Sequence, residues 1–439
     1  MRLGCLVIVG LSLLAGCHAA TPPQPPELLP EEEAKLHASF DEARAAMAAH
    51  DSAGWTDEAC RATAATFGQV ADRLAPHDRD GSLAARYDQG LALARCQLHD
   101  EAASAFEMLL ATAPNHHRAK VQLALHRLEL KGAVYLSEAI ETLTEAVVAS
   151  EFKNAEALVS LASLMMERAD DQPDGDGAND FERARKNLRR ALAVDDGYMA
   201  AYNQLAILHL ELARRDAGRT PRALVTAAET AERPDTATLE MAALICSQAL
   251  RKRPDYAPIH NTAGLIDAEL GNLSGAAQSF ARARKLDPRL FEAHMNYAAV
   301  NLQFRGFDQA EDAYRAALEL EPKSYEAHLG LALALRGRVG TAPNGEELLA
   351  QARETLERAK ALAPDRPEAY FNEAILVEEF FARGAPEQAK PKLLEAKELY
   401  ASFAERAKNE PNMKAAGQRA AERVRDIDQQ LTFLEEQPK

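Results

Sequence analysis

A pattern that returns every 34 residues most constrains what this chain can fold into. It is plainest between Ala257 and Pro322. His260, Ala263, Gly264, Ala276, Phe280, Ala283 and Pro288, with Gly271 in the turn between them, are answered 34 positions on by His294, Tyr297, Ala298, Ala310, Tyr314, Ala317 and Pro322. A fixed period of this length means one supersecondary unit repeated, each copy burying its apolar face against its neighbours. Gly264 and Ala298 are small where the first helix of a pair crosses the second closely, and Ala276 and Ala310 are their counterparts on the second helix. Phe280 and Tyr314 are read as filling the space between successive pairs. Pro288 and Pro322 stop the second helix, because proline lacks the N–H and clashes inside a helix.

The frame extends both ways. Gly90, Ala102, Phe106 and Pro114 mark an earlier copy, and Ala124, Ala139, Leu143 and Ala146 another with extra residues in its turn. Ala162, Ala184, Leu188 and Ala191 form a copy with an insertion; Leu205, Ala206, Cys246, Ala249 and Pro254 form the next. Downstream come Leu331, Ala332, Ala352, Leu356, Ala359 and Pro364, then Tyr370, Ala374, Ala389, Leu393 and Ala396. The flanks also carry helical periodicity: Leu36, Phe40, Ala43 and Met47 share one face, as do Cys60, Thr63, Phe67, Val70 and Leu74. Residues 411–435 read as a polar-faced terminal helix, which a repeat array needs to close its exposed end. No segment reads as a strand, so the fold class is all-α. The period and its order of large, small and aromatic places resemble the tetratricopeptide (TPR) repeat. The resemblance implies a right-handed superhelical solenoid of antiparallel helix pairs, here with an N-terminal helix pair and a C-terminal capping helix. The large Trp of that pattern is replaced by His, Tyr, Leu or Lys.

The N-terminus adds a second constraint. Arg2 precedes an apolar run from Leu6 to Leu14, too short to span a bilayer, and small residues follow. The string Leu14-Ala15-Gly16-Cys17 resembles the bacterial lipoprotein signal. That resemblance implies cleavage before Cys17, a diacylglyceryl thioether on its thiol, and an acylated amine. One acyl chain anchors marginally, and several on one residue anchor stably. His18 stands where the lipoprotein pattern would place an Asp for inner-membrane retention, which favours the outer membrane, facing the periplasm. Thr21-Pro-Pro-Gln-Pro-Pro26 and Pro30 form an extended spacer of about 40 Å at roughly 3.1 Å per residue. The expected divisions are a signal peptide (1–16), a lipidated Cys17 with its linker (17–30), a helix pair (31–83), about eight repeats (84–407) and a cap (408–439).

Charge and cysteines narrow the partners. A net charge of −16 makes nucleic acid an unfavourable ligand, since phosphate backbones are held by Lys and Arg. With Cys5 in the signal and Cys17 lipidated, Cys60, Cys96 and Cys246 remain. An odd number in an oxidising compartment allows one bridge, with Cys60–Cys96 the nearest pair; three separate buried thiols is the default reading.

Three loops interrupt the frame. Asp170 to Asp180 is acidic, but with Asp170 as a first calcium ligand Phe181 falls where a bidentate Glu is needed, so a solvated loop is expected. Ala213 to Asp235 is basic through Arg214, Arg215, Arg219, Arg222 and Arg233, and Pro221 to Glu232 reads as a short extra helix. Gly337 to Gly345 reads as a flexible turn.

No catalytic motif stands out. A Gly-rich phosphate loop, GxSxG and HExxH are all missing from the sequence. His116, His117 and His126 lack matching carboxylate or Cys ligands, so no metal and no cofactor is expected. His260, His294 and His328 recur because the repeat recurs. The chain is read as a non-enzyme.

Function is then expected on the wall built from first helices. The frame turns Tyr87, Leu91, Val121, Leu125, Val159, Asn203, Ile207, Asn261, Leu265, Met295, Ala299, Leu329, Leu333 and Phe371 toward it. An apolar groove with amide rungs suits an extended segment or an amphipathic helix. Leu265, Ala299 and Leu333 occupy the place of a carboxylate-clamp Asn in some TPR proteins, which argues against that specialised activity. The lipobox, the Pro-rich leader, the Ala/Arg-rich composition and the segment His50-Asp51…Trp55…Cys60 together resemble the TPR lipoproteins of myxobacterial gliding-motility complexes, the GltE (AglT) type. The resemblance implies a scaffold docking periplasmic or outer-membrane proteins. The alternatives are an adaptor for a cell-wall or quality-control enzyme, and an outer-membrane assembly or pilus-secretin pilotin-like factor.

Overall fold

Caps and turns break the chain into helices where the period places them. A computed structural model describes residues 29–173, 178–216, 236–340, 343–384, 388–410 and 413–436. The signal peptide, Cys17, most of the Pro-rich linker, and Arg219, Arg222, Arg233 and the expected helix at 221–232 lie outside the described residues. No strand occurs among the described residues. The chain divides into two compact units, one ending at Ser150 and the other beginning at Glu151.

The first unit holds three helix pairs: α1 (Pro30–Ala53) with α2 (Asp57–Leu74), α3 (Arg79–Ala94) with α4 (His99–Thr112), and α5 (His117–Lys131) with α6 (Leu136–Ala149). At α2, α3 and α5 the side chain just before the start accepts an orphan backbone N–H group: Thr56 from Ala59, Asp78 from Gly81 and His116 from Ala119. Cys60, Thr63, Phe67, Val70 and Leu74 all lie on the buried face of α2. Phe40 of α1 meets Phe67 edge-on at 5.7 Å. The extra residues before α6 form a 3₁₀ turn, Gly132–Tyr135, that buries Tyr135.

Cys60 of α2 is bonded to Cys96, two residues beyond α3. This corrects the default of three separate thiols: helix periodicity puts Cys60 on the face that α3 covers, where the end of α3 reaches it. Cys246 is free and buried, and burial pushes its thiol up to about 12.

In the second unit α7 (Ala155–Arg168) pairs with α8 (Asp180–Val194), α9 (Met199–Asp216) with α10 (Thr236–Lys252), and α11 (Ala257–Glu269) with α12 (Leu273–Leu286). Next come α13 (Phe291–Gln303) with α14 (Phe307–Leu320) and α15 (Tyr325–Arg338) with α16 (Gly345–Leu362). The last pair is α17 (Glu368–Leu376), continued by a π turn at Val377–Phe381 and a final turn α18 (Ala382–Gly384), with α19 (Ala389–Ala407). The fold is thus all-α, a succession of antiparallel helix hairpins.

The small residues and the aromatics against them work as the period implies. A Cβ added to Gly264 would lie 2.6 Å from Phe280 of its own pair, and one on Gly330 would lie 2.2 Å from Tyr314 of the preceding pair. Both aromatics also reach the following pair, Phe280 sharing a core with Val300 and Tyr297 of α13 and Tyr314 one with Ala298 of its own pair and Leu331 of the next. In the α11–α12 and α13–α14 pairs the turn uses a left-handed residue, Gly271 at φ 80° and Arg305 at φ 58°, 34 positions apart.

The closing helix α20 (Lys414–Glu436) buries Ala420 and Ile427 and leaves most of its surface polar. It is tied down by charge. Glu378, buried in the π turn, accepts from the Tyr400 hydroxyl at 2.8 Å and from Arg423 of α20 at 3.2 Å.

The loops differ in part from expectation. Asp180 is buried at the start of α8 and accepts both arms of Arg168, at 2.8 and 2.7 Å, plus the Asp170 N–H at 3.0 Å. Asp171 pairs with Arg215. These carboxylates close the loop onto arginines. Arg214, read as part of a basic excursion, continues α9 and is neutralised by Glu211 and Glu269. The flexible turn begins later than read, because α15 runs through Gly337 to Arg338, with Gly337 against the Phe307 ring.

Candidate functional site

The first helices of the second unit touch in succession, α9 on α11, α11 on α13, α13 on α15 and α15 on α17. Their i, i+4 positions carry Asn203 and Ile207, Asn261 and Leu265, Met295 and Ala299, Leu329 and Leu333, then Phe371. All nine are half-buried. That is the exposure of a row one turn off the helix–helix contact line: the stem is packed and one edge is accessible. Met295 and Leu329 lean on the core around Tyr314 and Leu331. Phe371 packs on Tyr400 and Phe403 at 5.8 and 5.0 Å, so only its outer edge is presented.

The two asparagines do more than line a wall. The Thr262 hydroxyl donates to Asn203 Oδ1 at 2.7 Å, and Asn296 Nδ2 donates to Asn261 Oδ1 at 2.9 Å. Position 262 and position 296 are one period apart, so the same rung recurs between successive first helices. The amide oxygens are used by the scaffold. The Nδ2 groups of Asn203 and Asn261 are the ones left to a ligand, and they donate; the row can therefore grip peptide carbonyls more readily than peptide N–H groups.

In the first unit the same register gives a different result. Leu91 and Leu125 are half-buried, but Tyr87 and Val121 are buried, as is Val159 at the start of the second unit. Tyr87 lies beneath the Arg118 guanidinium at 5.0 Å, beside Phe106 and His116. These three belong to the core and not to an accessible wall. The repeat frame predicts which way a side chain points. It does not predict that Arg118 folds over Tyr87.

Two kinds of buried or half-buried histidine bear on the site. His260, His294 and His328 each meet, through Nε2, the carbonyl of the proline six residues earlier, at 2.9, 2.8 and 3.0 Å. Tyr370 does the same to Pro364 with its hydroxyl, at 3.0 Å. The recurring large polar residue thus satisfies a carbonyl freed by the proline turn that ends the previous helix. The second kind is His126, buried on α5, its Nδ1 3.0 Å from Nδ1 of His99 and its ring stacked on Phe106. Burial, with a smaller contribution from His99, lowers it to about 4. Residue spacing carries no signal for this pair, because His99 and His126 come from different repeats. Among the described residues no group of three or more His, Cys, Asp or Glu is arranged to hold a metal.

The segment His50-Asp51…Trp55…Cys60 is structural where it is described. Asp51 accepts from Trp55 Nε1 at 2.8 Å and from Arg95 at 2.9 Å, and Cys60 is bridged to Cys96. It ties the N-terminal pair to α3.

No family model matches the chain, and no curated protein matches it. Among solved structures, a thermophilic TPR protein of Thermus thermophilus is 25% identical, over 50% of this chain and 98% of its own, with a TM-score of 0.39. Pseudomonas aeruginosa pilF is 18% identical over 60% of this chain and 95% of its own, with a TM-score of 0.42. YrrB, a TPR protein with an unusual peptide-binding site, is 18% identical over 52% of this chain and 96% of its own, with a TM-score of 0.32. At these TM-scores no residue correspondence is transferred; the fold class stands on this chain's own period and helix pairing.

Proposed function

We propose that this chain is a lipid-anchored scaffold that holds other envelope proteins along the first helices of its second unit. The observation that carries the reading is the repeated half-buried row from Asn203 to Phe371, apolar edges interrupted by asparagine donors. Such a row suits a segment that lays apolar side chains into it while its carbonyls meet the free amide N–H groups. The Cys60–Cys96 bridge supports an extracytoplasmic site, since disulfides persist in oxidising compartments. The lipobox ending in Cys17 supplies the anchor in this reading, and the outer membrane, facing the periplasm, is its expected location. A gliding-motility machine is the proposed setting on the sequence likeness described above.

Two measurements test it. Cys17→Ala should move the protein from the membrane to the soluble fraction after a carbonate wash; retention in the membrane would refute the anchor. Leu265→Asp with Leu333→Asp should abolish in-cell crosslinking to envelope partners while the circular dichroism spectrum stays helical. Unchanged crosslinking with intact helicity would place binding elsewhere.

A further inference from the structure

The cavity between α14, α15 and α16 differs from its counterpart one repeat earlier in a way that identifies its occupant. His294 and His328 stand 34 residues apart and bind Pro288 and Pro322 through Nε2. With Nε2 donating, Nδ1 of each ring is an acceptor. In the earlier repeat Arg284 Nε donates to Nδ1 of His294 at 3.0 Å, and its guanidinium lies 4.5 Å from the Tyr297 ring. In the later repeat the corresponding positions are Leu318 and Leu331. Neither can donate, and neither fills the space of an arginine stacked on a tyrosine. A cavity of about 590 Å³ opens there, lined by Leu318, Leu331 and His328. His328 is only 7% exposed, and its Nδ1 has no hydrogen-bond partner. A buried acceptor left unpaired is destabilising, so a donor belongs there.

Charge says which donor. The residue after Arg284 is Lys285, whereas the residue after Leu318 is Glu319, which also lines the cavity. The repeat has exchanged its own two cations for an apolar residue and a carboxylate. The two guanidiniums at the rim are already engaged, Arg315 with Glu311 and Gln351 at 2.9 and 3.0 Å, and Arg358 with Glu354 at 2.7 Å. They present neutralised pairs to an incoming group.

We propose that this cavity takes an arginine side chain of a partner polypeptide, its guanidinium donating to His328 Nδ1 and pairing with Glu319, its methylene stem lying on Leu318 and Leu331. The site reproduces between molecules the contact that Arg284 makes within this one. It lies apart from the row proposed above and stands or falls independently of it.

The test uses the full chain labelled with 15N-histidine and two probes, N-acetyl-arginine amide and its uncharged isostere N-acetyl-citrulline amide. The arginine probe should move the His328 Nδ1 resonance saturably, at millimolar concentration, and leave His294 in place. The citrulline probe should bind about tenfold more weakly, the equivalent of one charged contact. Leu318→Arg should fill the cavity from within and abolish the shift. If that variant does not fold, Glu319→Gln should weaken the arginine probe at least fivefold and bring the two probes together. Absence of a saturable shift, equal affinity for the probes, or binding that survives Leu318→Arg would overturn the proposal. So would a His328 Nδ1 resonance that is already hydrogen-bonded in the free protein and indifferent to either probe, which would mean an ordered water only.

Discussion

His126 should make the first unit lose stability as the solution is acidified, and the size of the effect follows from its surroundings. The imidazole is 7% exposed, lies flat on Phe106 and has no partner at Nε2. Desolvation, with the neighbouring His99 second, lowers its pKa from the ordinary 6.5 to about 4. The folded chain therefore keeps this ring neutral over a range in which the unfolded chain protonates it. With the unfolded state binding more protons, stability rises with pH; it is complete above 6.5 and lost progressively as pH falls from 6.5 toward 4. Between pH 7.5 and pH 5 the loss is about 2 kcal/mol, from 1.36 kcal/mol per pK unit. The single tryptophan, Trp55, lies in the same unit, so urea unfolding followed by its fluorescence reports on that unit. His126→Val is the matched control, because position 300, the same place in a later repeat, is Val. His116, also lowered by burial, is present in both proteins and cancels in the difference. The variant should lose about 2 kcal/mol less than the parent over this pH interval. Equal losses would show that His126 is protonated without cost in the fold and would refute the reasoning.

Three further perturbations test the packing. Replacing both Cys60 and Cys96 by Ser opens a loop of sequence separation 36 and should cost the first unit about 3–4 kcal/mol in the Trp55 titration, as should a reductant. Gly330→Ala drives a Cβ to 2.2 Å from the Tyr314 ring and should destabilise the second unit by about 1–3 kcal/mol by urea denaturation monitored by circular dichroism, part of it recovered by adding Tyr314→Leu. Arg305→Gly should stabilise by about 1 kcal/mol in the same assay, because Arg305 sits at φ 58° where the preceding repeat has Gly271.

Much of the scaffold is legible in residue order because its determinants are local. Thr56, Asp78, Asn154 and Ser324 accept N–H groups three residues ahead, and such caps are written in the sequence. The 34-residue spacing places Ala276, Phe280, Ala310 and Tyr314 in the core, where they are buried. The candidate row is legible to the extent that periodicity assigns a face. What covers that face is not, as Arg118 covers Tyr87, because the covering group comes from another element.

The polar interior shows the same division. A Glu within a helical apolar pattern is visible at Glu373 and Glu378, yet their partners Lys360, Tyr400 and Arg423 lie 13, 22 and 45 residues away. The equivalence of His294 and His328 is visible as spacing. That one ring is satisfied by Arg284 while the other faces a cavity is not, since it depends on the tertiary neighbours of each ring. Residue order alone thus sets the helices, their period and the face each turns inward, through caps, prolines and apolar spacing that act within a few residues. Which of those periodic side chains are covered, which thiols join and which buried acceptor lacks a donor are settled by folding in three dimensions. Those outcomes depend on groups far apart in the chain meeting at hydrogen-bond and van der Waals distance.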